Sequence, residues 1–89
     1  MAERTLEIVN EKGLHARASA KFVECVEGFS AEAEVTRNGM SAPGDSIMGL
    51  LMLGASRGTS IQVTTLGDDA EALADALTTL VAEKFGEDF

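Results

Sequence analysis

The chain has 89 residues, 45% of them apolar, with 15 acidic against 7 basic side chains, a formal charge of −8 and one cysteine. That length supports one core, hence a single domain spanning residues 1–89. The charge excludes a nucleic-acid phosphate backbone as partner and disfavours anionic headgroups. A lone cysteine closes no internal disulfide, no apolar run is long enough to span a membrane, and no signal peptide opens the chain; a cytoplasmic protein is expected.

Thr5 to Val9 alternates polar and apolar residues as a strand does, with Leu6 and Ile8 on one face, and Asn10 to Gly13 has the composition of a turn. A helix is predicted over Ala16–Glu27. Ala16, Ala20, Val23 and Val26 make its apolar stripe, widened by Phe22 and Cys25, and Gly28 stands where a left-handed cap belongs. Ala31, Ala33 and Val35 then alternate with Glu32, Glu34 and Thr36, and Asn38-Gly39 signals a tight hairpin whose return strand is Met40 to Ala42. Pro43-Gly44 breaks that strand, and Asp45-Ser46 opens a second helix. The last strand is Ser60 to Leu66, with Ile61 and Val63 inward. The final helix is predicted from about Asp69 to Phe85, with Asp68 as N-cap, Glu71 in a capping box, and Leu73, Leu77, Leu80 and Val81 as its buried stripe. The order is βαββαβα. Each strand keeps one polar face, so the helices should cover one side of an antiparallel four-stranded sheet, an α+β open-faced sandwich.

The only histidine, His15, falls where the first turn hands over to the first helix. The opening turn of a helix leaves backbone N–H groups without intrahelical partners and carries the positive end of the macrodipole. An imidazole there can take up a phosphoryl group on a ring nitrogen. The oxygens would meet the amides of Ala16, Arg17 and Ala18 and the Arg17 guanidinium. Such charge-assisted hydrogen bonds contribute about 1.5–3 kcal/mol each, and the dipole roughly 0.3–1 more. Lys12 and Lys21 flank the same histidine, while acids crowd 24–34 and the last third, an asymmetry that would steer an acidic partner toward His15. Ordinary solvated charges would give the same count.

Ile47 to Leu53 is apolar all round. On a one-sided sheet, Leu50 and Leu53 can face the core only by leaving Ile47, Met48 and Leu51 outside, the mark of a docking patch, for which methionine is well suited. A helix buried beneath loops is the alternative. Ser46 is placed as this helix's N-cap.

Gly13-Leu14-His15-Ala16-Arg17, followed at a set distance by Asp45-Ser46-Ile47-Met48-Gly49-Leu50, resembles the HPr family, the histidine phosphocarriers of the bacterial phosphoenolpyruvate-dependent phosphotransferase system. The likeness runs from about residue 3 to residue 85. It implies strand order 1-4-2-3, phosphorylation of His15 with Arg17 assisting, and a monomer that receives its phosphoryl group from enzyme I. Sugar-specific or nitrogen-branch enzyme II A-type domains would accept it, docking at Ile47, Met48 and Leu51. By the same resemblance Ser46 matches the position that, in some bacteria, an ATP-dependent HPr kinase/phosphorylase phosphorylates. One departure is Ala18, where the family usually has proline; the loss of that ring frees a φ angle and restores an N–H.

Two other functions stay open on the residues alone. A small hydrolase or transferase could use His15 as base or nucleophile, but would want an orienting carboxylate or second nucleophile in a pocket. A regulatory module could use the same phosphohistidine to report nutrient status. No cofactor is expected. The chain lacks a glycine-rich phosphate loop followed by lysine, and one histidine with one cysteine gives too few ligands for a metal.

Overall fold

The computed structural model describes residues 1–89. Strands β1 (Ala2–Glu7), β2 (Ala31–Arg37), β3 (Met40–Pro43) and β4 (Ser60–Gly67) form one antiparallel sheet in the order β1-β4-β2-β3. Helices α1 (Ala16–Glu27), α2 (Ile47–Met52) and α3 (Ala70–Ala82) complete the βαββαβα order. This is the open-faced sandwich and the strand order expected.

The period-2 pattern decides which face of the sheet is covered. Leu6 opposes Ile61, Val63 opposes Val35, and Val35 opposes Ala42, all buried, whereas the alternate residues Glu3, Glu7, Glu32, Glu34 and Gln62 are exposed. Phe22, Leu50, Leu73, Leu77 and Phe85 fill the space between this inner face and the helices without solvent exposure. Asn38 and Gly39 both take positive φ, 50° and 80°, as the tight hairpin requires. Pro43 lies inside β3, opposite Glu34, and not beyond it. An edge strand has one unpaired side, where a residue without an N–H is tolerated.

The elements depart from expectation at several ends. β1 starts at Ala2 and leaves the ladder after Glu7, since β4 pairs with it from Thr65 back to Ser60. Arg4 takes an inner position at the sheet edge and reaches Glu71 and Asp75 of α3 at 3.1 and 3.2 Å. In α1 the buried residues are Ala18, Ser19, Phe22, Val23 and Val26; Ala16 is exposed and Ala20 half-buried. The stripe is thus rotated toward α2 and α3, both of which α1 touches. Gly28 is right-handed (φ −79°), its N–H donating to Cys25 O at 3.2 Å in a tightened last turn, so no left-handed cap is needed.

Asp68 does not cap α3. The N-cap is Asp69, and its carboxylate is taken by the Ser30 amide at 2.8 Å, tying the end of β4 to the start of β2. Glu71 serves Arg4 and not a capping box. α3 ends at Ala82, short of Phe85. Lys84, Phe85 and Gly86 follow with φ of 59°, 56° and 79°, a left-handed run that drives Phe85 into the core and turns the chain back across the molecule. No helix is long and apolar enough to cross a membrane.

Candidate functional site

Residues 10–15 are fixed from several sides before the first helix begins. Gly13 has φ +66°, and a β-carbon there would lie 2.5 Å from Ala55 O and 2.9 Å from Ser56 Cα, so only glycine lets the loop approach so closely. The Leu14 amide donates to the same Ala55 O at 2.9 Å, and the Asn10 side-chain amide donates to Gly13 O at 2.8 Å. His15 is then the N-cap of α1, in extended conformation (φ −79°, ψ −176°), and its carbonyl accepts the Ser19 amide at 2.8 Å.

The two ring nitrogens of His15 have different partners. Nδ1 accepts from the Arg17 amide at 3.3 Å and therefore carries a lone pair toward the helix start. Nε2 faces Glu87 Oε2, so it carries the proton and donates to that carboxylate. The His15 side chain is 27% exposed and that of Glu87 only 15%, which removes most of the water from the pair while leaving the ring reachable. Asn10 Nδ2 donates to the other carboxylate oxygen, Glu87 Oε1, at 3.0 Å. Burial works against a charge on Glu87. The hydrogen bonds from Asn10 and His15, with the charge of Lys12 and that of the His15 ring when it is protonated, outweigh it and hold the carboxyl below its usual range.

His15 lies in a concavity of about 540 Å³ whose wall includes Lys12, Arg17, Lys21 and Glu87, with no serine, threonine or cysteine. Lys21 Nζ donates to Phe85 O at 2.9 Å. The Arg17 side chain is exposed and makes no hydrogen bond or ion pair, and Arg17 lines the same concavity as His15. Ala16 and Ala18 flank it, the first exposed and the second fully buried. The flanking cations predicted around His15 are thus brought to one place.

α2 presents the patch expected, with one exchange. Ser46 is its N-cap, the hydroxyl accepting from the Gly49 amide at 3.0 Å. Leu50 and Leu53 are buried, while Ile47 and Met48 are 40% and 68% exposed. Leu51, however, is half-buried, and Met52, at 70% exposure, stands in its place. With only six residues, α2 keeps little more than one side on the core, and Leu51 falls at that side's margin. Cys25 is half-buried on α1, where burial pushes its thiol up.

Two residues at the site lay beyond sequence reasoning, Glu87 and Asn10. Glu87 is 72 positions from His15 and looks like one more acid in an acidic tail. The available signal was Phe85-Gly86, an apolar anchor followed by a residue that readily turns left-handed.

A family model described as "PTS HPr component phosphorylation site" matches residues 2–83. The chain is 49% identical over 88 residues to the phosphocarrier protein HPr of Neisseria meningitidis, covering 98% of each. It is 40% identical to the phosphocarrier protein NPr of Shewanella violacea, covering 96% of this chain and 93% of that one. Two crystal structures of HPr from Thermoanaerobacter tengcongensis are also similar. HPr-C-His shows a TM-score of 0.94 and 40% identity over 100% of both chains. The other, a dimer, shows 0.77 and 41% over 98% of this chain and 100% of that one.

Proposed function

Since the chain belongs to the HPr family of phosphotransferase-system phosphocarriers, we propose that His15 receives a phosphoryl group from phosphorylated enzyme I and hands it to a downstream acceptor. The observation that carries this reading is the division of labour on the ring: Nε2–H is held by Glu87, and the Nδ1 lone pair faces the start of α1, where the Arg17 amide meets it and the Arg17 side chain has no other partner. Nδ1 forms the new N–P bond as the bond between phosphorus and the donor breaks, and the donor keeps that electron pair. The Arg17 amide then exchanges the ring nitrogen for a phosphoryl oxygen. The amides of Ala16 and Ala18 and the Arg17 side chain share the remaining charge. Transfer onward is the same displacement with His15 as leaving group, so the protein is a carrier consumed and regenerated in a relay, not itself a catalyst.

Residues 1–89 would act as one carrier domain, cytoplasmic and monomeric. It docks through Ile47, Met48 and Leu51, with Met52 added, on enzyme I and on sugar-specific or nitrogen-branch enzyme II A-type domains. Ser46 would be a regulatory target for an HPr kinase/phosphorylase. A phosphate there adds about −1.5 to −2 charges beside the docking patch.

Glu87 supplies the orienting carboxylate that a hydrolase would need, which keeps that second reading in view, although the concavity offers no second nucleophile. Incubation with phosphoenolpyruvate and enzyme I separates the two. One acid-labile, alkali-stable phosphate per chain, absent in His15→Ala, is the result expected. Labelling that persists in His15→Ala, or turnover of a small ester with none, overturns the carrier reading.

A further inference from the structure

The segment after α3 is fastened at more points than a loose chain end requires. Phe85 is fully buried in a left-handed conformation that a bulky residue adopts only when its surroundings impose it. Its carbonyl accepts from Lys21 at 2.9 Å. Gly86 and Glu87 close turns on Glu83 O and Lys84 O at 3.0 and 2.9 Å, and beyond them the Glu11 amide donates to Phe89 O at 3.0 Å. Between these fastenings, Asn10 holds one oxygen of Glu87 and His15 the other. The carboxylate is thereby aimed at a single ring nitrogen.

A neutral imidazole interconverts between two tautomers, and only the one with its proton on Nε2 offers a lone pair at Nδ1, where the amides of α1 converge. We propose, on the carrier reading above, that Glu87 is a positioning residue of the transfer reaction: its carboxylate keeps the imidazole proton on Nε2 and so keeps Nδ1 the nucleophile. When Nδ1 gives its electron pair to phosphorus, the positive charge that spreads over the ring is met at Nε2–H by the same carboxylate. When the phosphoryl group leaves, the pair returns to Nδ1 with the Nε2 proton still in place. No proton has to leave the ring in either direction. Asn10, which holds Glu87 and not the imidazole, acts one step further out.

Glu87→Gln tests this because it keeps an acceptor for Asn10 but removes the charge. Its amide can also turn an N–H toward Nε2 and favour the opposite tautomer. In the wild-type protein at mildly alkaline pH, ¹⁵N correlation spectra should show Nε2 protonated and Nδ1 bare. In Glu87→Gln, the Nδ1–H form should become a substantial fraction. The maximal rate of uptake from phosphorylated enzyme I should fall about tenfold, with the half-saturating concentration changed less than about twofold. An Nδ1–H form already dominant in the wild type overturns the proposal without any variant. So does a Glu87→Gln protein with an unchanged tautomer ratio and rate. Neither result touches the carrier reading, which stands or falls on whether His15→Ala still takes up phosphate.

Discussion

Asn10 is fully buried and hydrogen-bonds Glu87 but not the imidazole. Its amide nitrogen is spent on Gly13 O and Glu87 Oε1, and its own oxygen has no partner. Turning the amide over would set that oxygen against a carboxylate, so the orientation is dictated by its neighbour. Asn10→Ala should destabilise the protein by about 1–3 kcal/mol, the range for removing a buried hydrogen-bonding partner. It should also move the Glu87 carboxyl upward, towards its ordinary range, in a ¹³C carboxyl titration. The sign follows from linkage: a carboxyl held low in the folded state contributes stability above its unfolded value and loses it as pH falls through the folded value. Without Asn10 the tail should therefore detach at a higher pH than in the wild type. A Glu87 titration unchanged in Asn10→Ala would mean that His15 and Lys12 alone set it. At this scale the sequence was informative about His15 and Arg17, whose neighbours lie within one helical turn. It was silent on Glu87, because a partner 72 positions away is supplied only by the folded chain.

At the scale of elements, local periodicity located every strand and helix but misjudged their ends. Those ends are set by contacts between elements: β4 extends β1 to Ala2, Ser30 takes the carboxylate of Asp69, and Arg4 takes Glu71. Helix α2 was read well because its N-cap and its apolar residues are local, and only the exchange of Leu51 for Met52 required the packing. The same helix predicts how a charge at its start would act. Ser46→Asp keeps an N-cap acceptor, since aspartate caps about as well as serine, so α2 should persist. The added charge sits beside Ile47 and Met48, however, and should slow uptake from phosphorylated enzyme I, raising the half-saturating concentration about tenfold in proportion to about 1.4 kcal/mol of lost docking. An unchanged concentration would remove the docking role proposed for this face.

For the molecule as a whole, Phe85 links the core to the site: its ring is buried in the core and its carbonyl is held by Lys21, two residues before Glu87. Phe85→Ala should cost about 3–5 kcal/mol, as large-to-small core changes do. Urea unfolding followed by far-ultraviolet circular dichroism measures it, since the chain has neither tryptophan nor tyrosine. The same variant should also loosen Glu87 from His15, joining a stability loss to a shift in the imidazole nitrogen resonances. Intact resonances beside lost stability would show that the tail is held by its hydrogen bonds alone. The bare side of the sheet has a practical use. Gln62 is exposed there in the middle of β4, with His15 and α2 carried by the helical layer opposite. A dye or a surface linker attached through Gln62→Cys, with Cys25 replaced by serine, could report on the protein from behind while the side proposed for docking stays uncovered.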